Sequence, residues 1–434
     1  MMSMPSLPPE LLLKIAHSSE LCGPDLRQLR AVNRTFHNLV SRDAFAKLTV
    51  TATVKSAGGL HNILNTPTLA AYVQEIEFEE DMPTRMAENR SPAGNGHENS
   101  GRKLGKCDDC FVYWWRSRQS QPSQAQDHHK WSELRLIMAS AYSLLHKAPF
   151  LHSIVFEFSP VFKEHAWDED NFQPSDHLQL HWAILGAIAN NPRPLPALRS
   201  LALHNMLPFA NDIYDTKYFT KIIGALHDFH ICAVGDEIAE DDFYQDPAPN
   251  FWEQVHLRLL LPANELRSLH IASKATLGVM PPLDFTVLTY PHLQSLSLMG
   301  VLFDGQQPIE AGTEDFLARH GKTLRRLKLV GCAITHVYHE VPERVWSMLW
   351  RRYEQELELL SELFVEFQRD DPDAVWALPR TEPQLRYCFA LPSAGAGVMP
   401  DFGDVPGEEE DTPALASLQA VVAGRREATS SAST

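Results

Sequence analysis

Cysteine is scarce in this chain. Cys22, Cys107, Cys110, Cys232, Cys332 and Cys388 are spread over 434 residues, far too thinly for the disulfide framework of a small secreted domain. Long apolar runs are missing too. No stretch approaches the roughly 18–20 apolar residues that a helix needs to cross a bilayer. The opening MMSMPSLPPELLLKIAHSS has no cationic leader, and Glu10 and Lys14 interrupt its short apolar run, which makes a poor signal peptide. Positive charge is also in deficit: 38 Lys and Arg stand against 55 Asp and Glu, a net charge of −17. A chain that grips phosphate backbones usually carries a basic patch or stripe. The expectation is a soluble intracellular protein, cytoplasmic or nuclear, that binds neither nucleic acid nor membrane.

Catalytic signatures are absent as well. There is no G-x-S-x-G elbow, no Walker glycine–lysine loop and no dinucleotide-binding glycine fingerprint. Gly395 and Gly397 lie in a segment where no following helix is expected to aim its dipole at a phosphate. Histidines such as His204 and His270, beside expected strands, read as surface or core residues rather than bases. Trp114-Trp115 lacks the basic groove that base stacking requires. One metal-like pattern occurs, Cys107-Asp108-Asp109-Cys110 with His128 and His129 downstream. Adjacent histidines point apart on either a helix or a strand, so they match zinc-finger spacing poorly. The CxxC reads as incidental. No catalytic residue, metal or cofactor is expected, and the chain reads as a non-enzyme.

Two segments are poor in periodic apolar residues. Residues 81–127 are rich in Ser, Gly, Asn, Gln and Pro, and 392–434 hold Gly-Ala repeats and the acidic run Glu408-Glu409-Glu410-Asp411. Both are expected to be irregular, because too little apolar surface is available to offset the ordering entropy.

Residues 5–48 are the opposite. Pro8 and Pro9 precede Leu11, Leu12 and Ile15, and proline in a first helical turn sacrifices no hydrogen bond. Asp25 and Gln28 have capping-box spacing. Leu26, Leu29, Val32, Phe36 and Leu39 follow at intervals that place them on one helical face. So small a helical hairpin carries more apolar surface than it can bury alone.

These residues resemble the F-box. Leu7-Pro8-Pro9-Glu10-Leu11-Leu12 with Ile15, then Asp25-Leu26 and Leu29, then Val32-Asn33-Arg34 with Phe36, and finally Asp43-Ala44-Phe45 with Leu48 follow the family's order of features over about 45 residues. Two departures stand out. Phe36 occupies the place of a common Trp, and Cys22-Gly23-Pro24 forms the inter-helix link where many members extend an apolar helix end. The resemblance implies that Leu7, Pro8, Pro9, Glu10, Leu11, Leu12, Ile15, Leu26, Leu29, Val32 and Phe36 dock the Skp-type adaptor of a cullin–RING ligase. Read without it, the hairpin is a helical cap on one end of a repeat array.

Behind the hairpin an L-x-x-L-x-L pattern recurs. It appears as Val73-Ile76-Phe78, Leu151-Ile154-Phe156, Leu198-Leu201-Leu203, Leu266-Leu269-Ile271, Leu293-Leu296-Leu298, Leu324-Leu327-Leu329 and Leu360-Leu363-Val365, with Leu385 and Cys388 as a degenerate last copy. Start-to-start spacings among the seven clear copies run from 27 to 78 residues, against about 20–29 in regular leucine-rich repeats. Residues two apart share one strand face, so the pattern fits short strands over a common core. Apolar periodicity predicts helices at 131–147, 178–189, 314–319 and 343–357. Strands alternating with helices predict an α/β solenoid with a parallel sheet. Residues 310–367 also resemble the irregular repeat bodies of fungal F-box proteins. The expected organisation is an all-helical F-box over 1–50, a leucine-rich-repeat-like body over 51–391 and an acidic tail over 392–434. The implied function is a substrate receptor that presents an unidentified target for ubiquitination by a Skp–cullin–F-box ligase. The alternative is a repeat scaffold working outside the ligase.

Overall fold

The computed structural model describes residue 14 and residues 23–32, 34–80, 128–159, 174–191, 193–234, 248–278, 283–305, 312–337, 342–366, 386–391, 397–400 and 405–431. The chain is a mixed α/β protein with eleven α-helices and twelve strands among these residues, and its sheet is mostly parallel. It divides into two compact units, residues 1–161 with 174–202, and residues 162–173 with 203–434. The expected irregular insert 81–127 lies outside the described residues.

The first unit opens with helices α1 (Gly23–Val32) and α2 (Arg34–Ala46), which run into strand β1 (Lys47–Thr51). Helices α3 (Val54–Asn65) and α4 (Pro67–Ala70) lead to β2 (Glu75–Glu79). Thr53 caps α3 by accepting from the Ser56 amide. Helix α5 (His128–Tyr142) and a 3₁₀ turn then precede β3 (Ser153–Glu157), and α6 (Asp176–Ala189) follows, capped by Ser175. The three strands are parallel and in register: Leu48, Ile76 and Ile154 form one inward row, and Val50, Phe78 and Phe156 the next. All six are buried. Leu134, Met138, Ala141 and Leu145, from the predicted 131–147 helix, supply part of the same buried core.

Strand β4 (Ser200–Met206) spans the boundary between the units. The second unit continues with helices α7 (Lys217–Ile223) and α8 (Ala248–Gln254), a π-helical turn over Val255–Leu260, helix α9 (Thr313–Arg319) and helix α10 (Trp346–Glu356). Its strands are β5 (Asp228–Ala233), β6 (Ser268–Leu277), β7 (Ser295–Asp304), β8 (Arg326–Val330), β9 (Ala333–Val337), β10 (Glu362–Glu366), β11 (Arg386–Leu391) and β12 (Gly397–Pro400). Phe229, Leu269, Leu296, Leu327 and Leu363 align in one row, and Ile231, Ile271, Leu298, Leu329 and Val365 in the next. The first leucine of each motif, Leu266, Leu293, Leu324 and Leu360, is fully buried just before its strand. The same backbone bonds start each strand. The His227 carbonyl accepts the Arg267 and Ser268 amides, the Arg267 carbonyl those of Gln294 and Ser295, and the Gln294 carbonyl those of Arg325 and Arg326.

Two further copies of the motif emerge. Phe45-Leu48-Val50 builds β1 and Leu226-Phe229-Ile231 builds β5, all buried. The second splits the long interval between Leu198 and Leu266. Both carry phenylalanine at the first or second motif position, where the copies read from the sequence have leucine, isoleucine or valine.

The C-terminal part departs from expectation twice. The sheet forks at β7, whose residues 295–299 pair with β8 while 302–304 pair with β9. Strand β11 therefore lies beside β9 and antiparallel to β12, and Cys388 does not extend the β8–β10 ladder as a last copy. Leu385 lies outside the described residues. The acidic tail is not irregular throughout: Asp411–Ser431 is helix α11, packed on α10. Asp411, Ala414, Leu418 and Val422 are its buried stripe. Composition concealed a three- to four-residue periodicity made mostly of small residues, and Pro413 in the first turn is tolerated there.

Candidate protein-interaction surfaces

The helical hairpin is the first candidate surface. Leu26 and Phe36 are buried, together with Val40, Ala44 and Phe45 on α2. Arg30 ties the two helices together. Its Nε donates to Ser41 Oγ at 2.9 Å, and its guanidinium lies 5.1 Å from the Phe45 ring centroid, within cation–π range. Leu29 and Leu39 are half-buried. Val32 corrects the sequence reading: expected on the same helical face as Leu26 and Phe36, it does not share their burial and is 64 % exposed. One helix ends at Val32 and the next starts at Arg34, so the helical phase that grouped Leu26 through Leu39 is broken there. Leu7, Pro8, Pro9, Glu10, Leu11, Leu12 and Ile15 lie outside the described residues.

The second candidate is the face of the second unit's sheet opposite the leucine rows. Register sets three lines across β5, β6, β7, β8 and β10. They are Asp228–Ser268–Ser295–Arg326–Glu362, then His230–His270–Ser297–Lys328–Phe364, then Cys232–Ala272–Met299–Val330–Glu366. In the middle line the His230 and His270 rings are 5.2 Å apart, and Lys328 Nζ is 5.3 Å from the centroid of Phe364, itself 49 % exposed. His204 on β4 places its ring 6.2 Å from His230. Burial, with His204 close by, holds the His230 imidazole well down at about 4, so it is neutral at physiological pH. Imidazoles, hydroxyls and a lysine give this face hydrogen-bonding capacity.

The first unit contains a buried carboxylate. Glu80, just after β2, receives the Ser159 amide at 2.8 Å and His181 Nε2 at 3.1 Å on Oε2, and pairs with His177 Nδ1 through Oε1. His177 and His181 stand one helical turn apart on α6. Burial alone would raise the Glu80 carboxyl, but the hydrogen bonds from both histidines hold it well below the usual range. A carboxylate only accepts, so Nε2 of His181 carries the proton. The geometry of this group is that of a structural lock. Nearby, Glu77, Glu79 and Glu157 cluster on β2 and β3, with Lys47 Nζ 3.2 Å from Glu77.

The Cys107–Cys110 pair lies outside the described residues, and His128 and His129 begin α5. Cys232, Cys332 and Cys388 are buried, and burial pushes the Cys332 thiol up to about 12, which makes it unreactive. Among the described residues no helix is long and apolar enough to cross a membrane. No protein-family model matches the chain, and no curated protein matches it.

Proposed function

We propose that this chain is an F-box substrate receptor. The hairpin, with the Leu7-Pro8-Pro9 segment before it, docks a Skp-type adaptor. The repeat body, read as an irregular leucine-rich solenoid, holds a target protein on its sheet face, and other ligase subunits transfer ubiquitin. Its chemistry is proximity, since tethering raises the effective concentration of a target lysine near the charged conjugating enzyme.

The observation that carries this reading is a two-helix hairpin, with Leu26 and Phe36 packed inside it, that runs directly into the first motif strand. F-box-like residues and repeat strands are thus adjacent in one compact unit. Affinity purification of the full chain with mass spectrometry tests it. Recovery of adaptor, cullin and RING subunits supports the receptor. Recovery of the adaptor without cullin favours a scaffold outside the ligase, and recovery of neither removes the F-box reading.

A further inference from the structure

Acidic residues are missing from one end of the first unit. No Asp or Glu occurs between Asp43 and Glu75, between Glu133 and Glu157, or between Asp176 and Asp212, in a chain that holds 55 of them. These stretches supply α3, most of α5 and α6, and the turns that lead from each helix into the next strand. Polar contacts tie those turns together. Lys147 Nζ donates to Asn65 Oδ1 at the end of α3. His146 Nδ1 donates to the Ser143 carbonyl at 3.0 Å, which leaves its Nε2 to accept Arg193 Nη1 at 2.8 Å. Asn191 Nδ2 reaches the same carbonyl at 2.9 Å and holds the Arg193 turn beside it. Burial pushes the His146 imidazole below its ordinary value despite the Ser143 bond, and the Arg193 and Lys147 charges act in the same direction as burial. Arg193 and Lys147 thus bond neutral groups, an imidazole and an amide, and keep further donors open. Both are exposed, as is Phe150 at 60 %, while Arg199 is half-buried, its amide bonded to the His152 carbonyl of the neighbouring turn.

We propose that this end of the first unit docks an acidic segment of a partner protein. Carboxylates meet the Arg193 fork, which suits bidentate pairing, and the Lys147 ammonium, and an apolar side chain of the same segment packs on Phe150. Helices α3, α5 and α6 end on this side, each with a partial negative charge of roughly one half. Against them stand the full charges of Lys147, Arg193 and Arg199, so the cations do more than offset the helix ends. Charge complementarity of this kind supplies specificity and association rate more than raw affinity. A nucleic acid is the poorer fit, because so few cations neutralise too few phosphates to sustain backbone binding.

The test uses full-length protein and fluorescein-labelled peptides of alternating Glu and Leu, with a Gln version as control, read by anisotropy. Salt is held at about 150 mM, where a screening length of about 8 Å mutes repulsion from the rest of the acidic chain but not contact pairs. The Glu peptide is expected to bind at least about fivefold tighter than the Gln version. The double substitution Lys147→Glu with Arg193→Glu should abolish that preference without moving the melting temperature. Lys322→Glu makes the same kind of charge change on an exposed lysine of the second unit, and should leave the preference intact. Should the double variant disturb folding, the single exposed change Lys147→Gln should still cost about twofold or more in affinity for the Glu peptide. Equal binding of the Glu and Gln peptides would overturn the inference. So would an equal loss in Lys322→Glu, undiminished binding by a folded Lys147→Gln variant, or single-stranded poly-U that binds tighter than the Glu peptide and is lost with the same double variant. Adaptor recovery from the same protein reports on the hairpin alone, so either reading can fail without the other.

Discussion

Asp411 and Arg425, on the one helix α11, hold opposite ends of α10. Asp411 Oδ1 accepts the Ser347 amide at 2.6 Å in the first turn of α10, and its Oδ2 accepts the Tyr387 hydroxyl at 2.6 Å. Arg425 donates to the Leu357 and Glu354 carbonyls at 2.7 and 2.9 Å at the other end. An anion therefore sits at the positive end of the α10 dipole and a cation at the negative end, each satisfying backbone groups that a helix leaves open. Val345, the residue before α10, offers no side-chain cap of its own. Asp411→Ala is expected to cost about 1–2 kcal/mol and Arg425→Ala about 1 kcal/mol. Urea melts of each variant check this; unchanged midpoints would mean that α11 is not docked.

Removing α11 entirely should do more. Leu418 is fully buried on its stripe, and Leu418→Ala should cost about 2–4 kcal/mol. Limited proteolysis of that variant should release the C-terminal segment first, ahead of any cut in β5–β8.

The Glu80 lock gives a pH signature. Glu80→Gln keeps the shape, removes the charge that holds both histidines, and should destabilise the first unit by about 3 kcal/mol at pH 7. The folded-state pKa lies below the ordinary 4.5, so this contribution is fully present above that value and is lost as pH falls below it. The difference between wild type and Glu80→Gln in chemical denaturation should shrink from about pH 5 to about pH 3. A difference that stays constant with pH would show that the Glu80 charge is not what the lock uses.

Backbone geometry at the fork makes another prediction. Gly300 has φ +68°, and an added Cβ would lie 2.3 Å from the Ser273 carbonyl oxygen. It separates the part of β7 that pairs with β8 from the part that pairs with β9. Gly300→Ala is expected to lower stability by at least about 2 kcal/mol, measured by thermal melting. A neutral outcome would contradict the fork as described.

How much of this was legible beforehand follows from where the physics is local. Each expected copy from Val73 to Val365 became a strand, because period-two burial is written directly into neighbouring residues. Phe45 and Leu226-Phe229 were missed because the template took only aliphatic residues at its first two positions, although packing only asks for bulk. The fork was illegible, because partner choice depends on a glycine conformation and not on hydrophobicity. Helix α11 was missed because Ala414 is small and its capping role reaches back to Ser347, far away in sequence. On the interaction faces, residue types such as His204 and His270 were noticed singly, but only strand register places His270 beside Ser297 and Lys328.

Within the hairpin, Phe36 and Val32 should separate cleanly. Phe36→Ala removes a buried ring and is expected to cost about 3 kcal/mol. Val32→Ala alters an exposed side chain and should move stability by less than about 0.5 kcal/mol. If Val32 lies in the adaptor interface, its loss appears in adaptor affinity and not in the melt.

The receptor reading rests most directly on adaptor capture by the full chain, comparing wild type with the double substitution Leu7→Ala and Pro8→Ala. At about 25 cal/mol per Å² of apolar surface, losing these contacts should cost a few kcal/mol of binding, or at least ten- to a hundredfold in affinity. The account predicts that wild type recovers the adaptor and cullin, and that the double variant recovers neither while its melting temperature and target binding are unchanged. A wild-type chain that never recovers the adaptor would contradict it, leaving the hairpin as no more than the cap of a repeat array.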